Sequence, residues 1–105
     1  LSQGPIFDSM KIEGNSIRVF FRNVGRGLAT SDGNPPGAFA VAGEDGKLAW
    51  ADARIDGDTV VVSSPTVKAP RIVRYGYVTW RGDLNLCNKN GFPALPFRSD
   101  KPFYP

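Results

Sequence analysis

Residues 51–63 read ADARIDGDTVVVS, and this stretch carries the strongest signal for the fold class. Two runs that alternate apolar and polar side chains flank an Asp-Gly pair at Asp56 and Gly57. Asp-Gly between alternating runs indicates a β-hairpin, because glycine reaches positive φ without a steric penalty. The stretch therefore predicts two antiparallel strands, 51–55 and 59–63, joined by a tight turn.

Two more turn signals of this kind lie nearer the N-terminus. Each stands between two apolar-rich runs: 13–15 between 10–12 and 16–21, and 44–47 between 38–42 and 48–50. Helix propensity also admits a short helix over 47–54, but the flanking hairpin turns favour strand. Repeated hairpin signals predict an antiparallel sheet.

The alternation of side chains predicts sheets with one buried and one wetter face. Expected core positions are Ile17, Val19, Phe21, Val60, Val62, Val73, Tyr75 and Tyr77. Glycine and proline mark 23–37 as a long surface loop and 64–70 as a crossing between strands. Six or seven short strands in one domain, 1–105, predict a two-sheet antiparallel β-sandwich, immunoglobulin- or fibronectin-like. A jelly-roll is the alternative.

Residues 91–105 contain prolines interleaved with aromatic side chains, which predicts an extended tail that packs its rings on another surface. We expect Phe97, Phe103 and Tyr104 of this tail, together with the outward-facing Phe20, to contact a neighbouring domain. The PALP run at 93–96 also fits a proline-rich ligand of SH3 domains, but the packed tail is favoured.

The composition excludes most catalytic chemistry within these residues. The chain has 105 residues, no histidine and one cysteine, so neither a histidine-dependent nucleophile nor a usual zinc site can form. We therefore predict no catalytic residue, no metal and no cofactor. The net charge of +3 is mixed along the chain, which argues against nucleic acid as a partner, and no apolar run is long enough for a membrane span.

One cluster has the composition of a sugar-binding surface. Residues 75–81 read YGYVTWR, and two asparagines follow at Asn85 and Asn88. Aromatic rings stack on the C–H faces of sugars, while amide and guanidinium groups bind hydroxyls. The candidate carbohydrate-binding residues are Tyr77, Trp80, Arg81 and Asn85. The alternative is structural: the tyrosines belong to the core and Trp80 packs against a neighbouring domain.

Several segments, taken in order, resemble the end of a known enzyme family. The segments at 4–19, 39–47, 51–64, 73–77, 84–88 and 91–100 are similar to the region that follows the catalytic domain of sialate O-acetylesterases. The resemblance implies a C-terminal accessory domain that packs on an upstream SGNH-type hydrolase domain. It also implies a secreted, periplasmic or lysosomal protein. The family's catalytic motifs lie upstream of this segment, so no catalytic residue carries over. Cys87 stands where the family has tyrosine.

The chain begins with Leu1 rather than methionine, which fits a piece of a longer polypeptide.

Overall fold

The computed structural model describes residues 3–76 and 84–100, and the regular elements in them are β-strands. No helix in this part of the chain is long and apolar enough to cross a membrane. The strands are β1 (Ile6–Glu13), β2 (Ser16–Arg22), β3 (Leu28–Thr30), β4 (Phe39–Ala42), β5 (Ala49–Trp50), β6 (Asp52–Asp56), β7 (Thr59–Ser63), β8 (Ile72–Tyr75), β9 (Leu86–Asn88) and β10 (Phe97–Arg98).

Eight of these strands form two four-stranded antiparallel sheets. The first sheet has the order β1-β2-β7-β6, and the second has the order β10-β8-β4-β5. These are the orders A-B-E-D and G-F-C-C′ of the immunoglobulin sandwich. The predicted all-β sandwich is thus confirmed, and its strand order is immunoglobulin-like rather than that of a jelly-roll.

The three predicted hairpins are confirmed. Their turns contain Gly14, Gly46 and Gly57, with φ of 64°, 72° and 62°. A Cβ at any of these glycines would meet no atom within 4 Å. The need for glycine is therefore conformational and not a matter of space. The stretch over 47–54, where a helix was the alternative, contains β5 and part of β6.

The core lies between the inner faces of the two sheets. The predicted alternation holds on both sides, and of the predicted core positions only Tyr77 lies outside the described residues. Each apolar side chain that is fully buried in this core stabilises the fold by roughly 1.5–3 kcal/mol, before the entropy of ordering the chain is subtracted. At most 1% of the side chain is exposed at Ile17, Val19, Phe39, Val41, Val60, Val62, Val73 and Tyr75.

Two loop predictions have different outcomes. The segment 64–70 does connect the sheets, with Ser64 bridged to Val67 and Pro70 buried. The segment 23–37 is not a plain surface loop, because it contains β3, which pairs antiparallel with β9. Pairing and hydrogen bonds join β3, β9 and the loops 31–37 and 89–96 into one region, called here the loop end.

Candidate functional site

The predicted sugar-binding segment leaves the second sheet at Gly76. This glycine has φ of 74°, and a Cβ on it would lie 2.6 Å from Leu84 Cδ2 and 3.3 Å from Pro96 Cβ. The backbone conformation therefore requires glycine here, and any larger residue would also displace the Leu84 side chain. The residues that flank 77–83 are thus held side by side. The candidates Tyr77, Trp80 and Arg81 lie within that segment, outside the described residues.

Asn85, the fourth sugar-binding candidate, is buried, with 5% of its side chain exposed. Its Nδ2 donates to Asp32 Oδ1 at 2.9 Å and to the Pro35 carbonyl at 3.1 Å. Its Oδ1 accepts a hydrogen bond from the Gly37 amide at 2.9 Å. Both amide donors are thus used inside the protein, and none is left for a sugar hydroxyl. The hydrogen bond from Asn85 also lowers the pKa of Asp32.

Asn88 ties three chain segments together at the loop end and is 1% exposed. Its Nδ2 donates to the carbonyls of Gln3 and Asn23, both at 3.2 Å. Its Oδ1 accepts from the amides of Asn90 and Phe92, both at 3.1 Å. The amide thereby uses two donors and two acceptor positions, which is its full capacity. In the sequence, this linking role of Asn88 is indicated only by the position of a polar amide next to Leu86 and Cys87.

The outer face of the second sheet presents a row of charged and aromatic side chains. Pairing places Arg98, Arg74, Ala40 and Trp50 side by side across β10, β8, β4 and β5. Trp50 is 42% exposed, beside the small Ala40. In the sequence, Leu48 and Trp50 stand two residues apart in the run 48–50, which places both side chains on one face of a strand.

Asp100 forms ion pairs with both arginines of this row. Its carboxylate lies 2.6 Å from Arg98 Nη2 and 2.9 Å from Arg74 Nη2. The hydrogen bond from Arg98, with a smaller contribution from Arg74, holds the pKa of Asp100 well below its usual range. This ion cluster fixes the end of β10 against β8, because residues 98 and 74 face each other across the two strands.

The candidate interdomain residues lie in different surroundings. Phe20 is half-buried on the outer face of the first sheet, opposite Ser9 and Thr59. Phe97 is only 5% exposed, and this burial corrects its prediction as an interdomain contact. Its ring stacks on Phe7 at a centroid distance of 4.8 Å and therefore belongs to this domain's own core. Phe103 and Tyr104 lie outside the described residues.

An apolar surface lies where the N-terminal segment joins the domain. Leu84 is 38% exposed and Leu95 is 56% exposed, and both lie near Pro96. The Leu95 amide donates to the Pro5 carbonyl at 3.4 Å. Leu84, Leu95 and Pro96 are called here the N-terminal patch, and the buried Pro5 lies beside it. The chain that precedes Pro5 therefore meets the domain beside exposed leucines.

A cleft opens between the β4–β5 turn and the loop that follows β7. Its volume is 670 Å³, and residues 43–49 and 66–71 supply its two walls. Charged side chains on the rim surround a short apolar surface. This cleft is not predictable from the sequence, because its walls come from separate turns that only the sandwich brings together.

The titratable side chains of Cys87, Glu13 and Asp56 are either buried or held in ion pairs. Over 3–76 and 84–100, no three His, Cys, Asp or Glu residues are grouped so as to hold a metal ion. Burial raises the pKa of Cys87, which keeps its thiol protonated and weakly nucleophilic. Glu13 and Asp56 have lowered pKa values, because both accept hydrogen bonds from Arg18. They are ion-pair partners of an arginine and not a carboxylate pair sharing a proton.

No protein-family model matches the chain, and a search of curated proteins gives no significant match. Among solved structures, the chain is similar to a carbohydrate acetylesterase from Xanthomonas citri, with 36% sequence identity and a TM-score of 0.88. The alignment covers 94% of this chain and 23% of the acetylesterase chain. The likeness therefore extends beyond the fold and relates this chain to one part of a carbohydrate esterase.

Proposed function

We propose that this chain is a non-catalytic accessory domain of a carbohydrate O-acetylesterase, placed C-terminal to an SGNH-type hydrolase domain of the same polypeptide. One observation carries the proposal: nearly all of this chain aligns with less than a quarter of a longer carbohydrate acetylesterase. The absence of histidine supports it, since SGNH hydrolysis uses a serine with a histidine base and this chain contains none.

The proposed substrate of the parent enzyme is an O-acetylated glycan of the sialic acid type. This finer assignment rests on the segments that resemble sialate O-acetylesterases, among them 39–47 and 84–88. The same resemblance supports a secreted, periplasmic or lysosomal location. The accessory domain itself would contribute no step of the ester hydrolysis.

The N-terminal patch is the surface we assign to contact with the hydrolase domain. An upstream domain would be connected through the residues before Pro5, and Pro5 is hydrogen-bonded beside the exposed Leu95. Interfaces between domains of one chain bury about 600–1,500 Å². The patch would be the apolar centre of such an interface. Phe20, on the outer face of the first sheet, remains a second proposed contact.

The catalytic part of the proposal is tested by comparing two purified proteins. The 105-residue chain and the longer parent polypeptide are assayed on 4-nitrophenyl acetate and on 9-O-acetylated sialic acid. We expect hydrolysis by the parent polypeptide only. Acetylesterase activity of the 105-residue chain above the buffer rate would contradict a non-catalytic role.

The docking surface is tested with Leu95→Ser in both proteins. Leu95 is already 56% exposed in this domain, so the isolated chain should change by less than about 0.5 kcal/mol. In the parent polypeptide, loss of its remaining burial should destabilise the docked domain by about 1 kcal/mol. Ile12→Ser is the matched control, because Ile12 is 45% exposed but lies in the β1–β2 hairpin. Equal effects of Leu95→Ser in both proteins would exclude this surface.

A further inference from the structure

The cleft between residues 43–49 and 66–71 has walls that are held by backbone contacts. The Arg71 amide donates to the Ala42 carbonyl at 2.7 Å, which joins the two walls where they meet. Gly43 packs so closely on the opposite wall that a Cβ there would lie 3.1 Å from the Ala69 carbonyl oxygen. The cleft is therefore shaped before any ligand arrives, which lowers the entropy lost on binding.

Each wall is also fixed within itself. In the β4–β5 turn, the Gly46 amide donates to the Gly43 carbonyl at 3.1 Å, and the Lys47 amide donates to Asp45 Oδ1 at 2.9 Å. In the opposite loop, the Val67 amide donates to the Ser64 carbonyl at 3.2 Å. These short-range bonds keep both turns in one conformation.

The charges around the cleft leave an excess of positive groups. Arg71 and Glu44 form an ion pair across the cleft at 3.2 Å, with the carboxylate side chain 81% exposed. Asp45 is bonded to a backbone amide. Among the residues that the structure describes, Lys47 and Lys68 form no ion pair. Three cations, Lys47, Lys68 and Arg71, and two carboxylates, Glu44 and Asp45, thus line the cleft, which leaves one net positive charge and two ammonium groups without an ion-pair partner among the described residues.

The surface beneath these charges is apolar and small. Leu48, which is 43% exposed, Ala49 and Val67 contribute it. Aliphatic side chains can accommodate the C–H face of a sugar ring. Backbone carbonyl oxygens of the cleft can accept hydrogen bonds from the hydroxyl groups of that sugar. Lysine binds a carboxylate as a compact, rotatable donor. The combination fits a saccharide that carries a carboxylate, as uronic and sialic acids do.

We propose that this cleft binds an acidic saccharide, with the sugar ring over Leu48 and Val67 and its carboxylate between Lys47 and Lys68. The described residues that line the cleft include none of the N-terminal patch and none of the sugar-binding residues predicted from the sequence. The site extends the accessory role, because it would bring the parent enzyme to anionic glycan.

The test uses the 105-residue chain labelled with ¹⁵N and titrated with trigalacturonate and with its methyl ester. The two probes share ring and length and differ in charge. With the free acid, we expect saturable shifts of the amide resonances at 43–49 and 66–71. The methyl ester should bind at least about fivefold more weakly than the free acid. Added salt should weaken the binding of the free acid. Lys47→Ala combined with Lys68→Ala should weaken binding of the free acid by at least about fivefold.

Lys11→Ala is the matched control, because Lys11 is an exposed lysine of β1 outside the cleft. It should leave the affinity unchanged. Equal binding of acid and ester would overturn the proposal, as would saturable shifts confined to residues outside 43–49 and 66–71, or no saturable shift below about 10 mM. Such a failure would leave the accessory-domain proposal intact, since that proposal is tested by the activity of the parent polypeptide.

Discussion

The two sheets and the loop end of this molecule are ordered by different kinds of interaction. Between the sheets, contact is made by apolar side chains such as Val19, Val41 and Val62, none of which is exposed. The loop end shares that apolar core through Leu28 and Leu86, but its segments are connected to one another by two buried amides, Asn85 and Asn88, which bind backbone groups of distant segments. Apolar contact is non-directional, whereas each amide needs specific donors and acceptors at specific distances.

This difference predicts different responses to substitution. Loss of apolar contact between the sheets should lower the stability of the whole domain, because seven of the eight strands of the two sheets, all but β5, contribute side chains to the same core. Loss of an amide should first release the loop end. The two regions are joined by Tyr75, whose hydroxyl accepts a hydrogen bond from the Leu86 amide at 3.0 Å. The three substitutions below test this distinction.

The largest effect is expected for Phe97→Ala. The ring lies 4.8 Å from Phe7 and 5.8 Å from Phe21 of the first sheet, and 5.9 Å from Tyr75 of the second. Its removal leaves a cavity between the sheets and should lower the free energy of unfolding by about 3–5 kcal/mol. Urea denaturation followed by circular dichroism measures this loss.

Phe97→Leu serves as the control for this substitution, since it retains most of the apolar volume. We expect it to lose less than half as much as Phe97→Ala. A loss below about 1 kcal/mol for the alanine variant would mean that the ring is not part of a shared core.

An intermediate and more local effect is expected for Asn88→Asp. The new carboxylate oxygen would face the carbonyls of Gln3 and Asn23 in place of the amide that now donates to them. These two carbonyls would lose their hydrogen-bond donor and face a negative charge, so the free energy of unfolding should fall by about 2–3 kcal/mol. Hydrogen exchange should accelerate in β3 and β9 before it accelerates in β2 or β7.

The matched control is Asn90→Asp. The exposed Asn90 uses its Oδ1 to accept from the Arg26 amide at 3.0 Å, and an aspartate retains that oxygen. Stability should therefore be nearly unchanged. Simultaneous acceleration of exchange in all strands of Asn88→Asp would show that the loop end and the sheets unfold as one unit.

The smallest effect is expected for Asp100→Asn. Directly opposed like charges destabilise a strand pair, and this carboxylate, 19% exposed, pairs with both Arg74 and Arg98 and so reduces their repulsion. The amide variant should lose about 1 kcal/mol at neutral pH. Because the pKa of Asp100 is lowered in the folded state, its contribution is present above the unfolded pKa of about 4 and is lost as pH falls through the folded value.

Thermal unfolding of the wild type and the Asp100→Asn variant as a function of pH measures this contribution. The difference between them should be constant near neutrality and shrink below about pH 4. Arg22→Gln is the control, because Arg22 and Asp8 form a looser pair at 3.6 Å, with the arginine side chain 67% exposed. A difference between wild type and Asp100→Asn that grows on acidification would contradict the lowered pKa.

The fold was largely predictable from local pattern. The turn glycines at Gly14, Gly46 and Gly57 and the period-two runs beside them identified three hairpins and the inner face of each. The prediction missed β3, because three residues in a glycine-rich stretch show no usable period and pair only with the distant β9. The prediction for Phe97 is also wrong. The prolines around it are typical of an exposed tail, but its ring lies in the core.

The candidate sites were less predictable than the fold. Asn85 was chosen as a sugar ligand because amides bind hydroxyls, yet its donors are used by Asp32 and the Pro35 carbonyl. The residues next to an asparagine in the sequence do not show whether its amide binds a ligand or a distant loop of the same protein. The cleft between 43–49 and 66–71 is likewise not predictable, because neither segment shows in its own sequence that the other lies opposite it.

The sequence by itself determined the antiparallel sandwich, because turn chemistry and alternation act between residues close along the chain. It also excluded histidine-based catalysis within these residues, since that depends on composition alone. Only the tertiary structure decided which polar groups meet: the partners of Asn88, the arginines around Asp100 and the walls of the cleft. Hydrogen bonds and ion pairs depend on distances of a few ångströms between residues far apart in sequence, and those distances exist only after the sheets have packed.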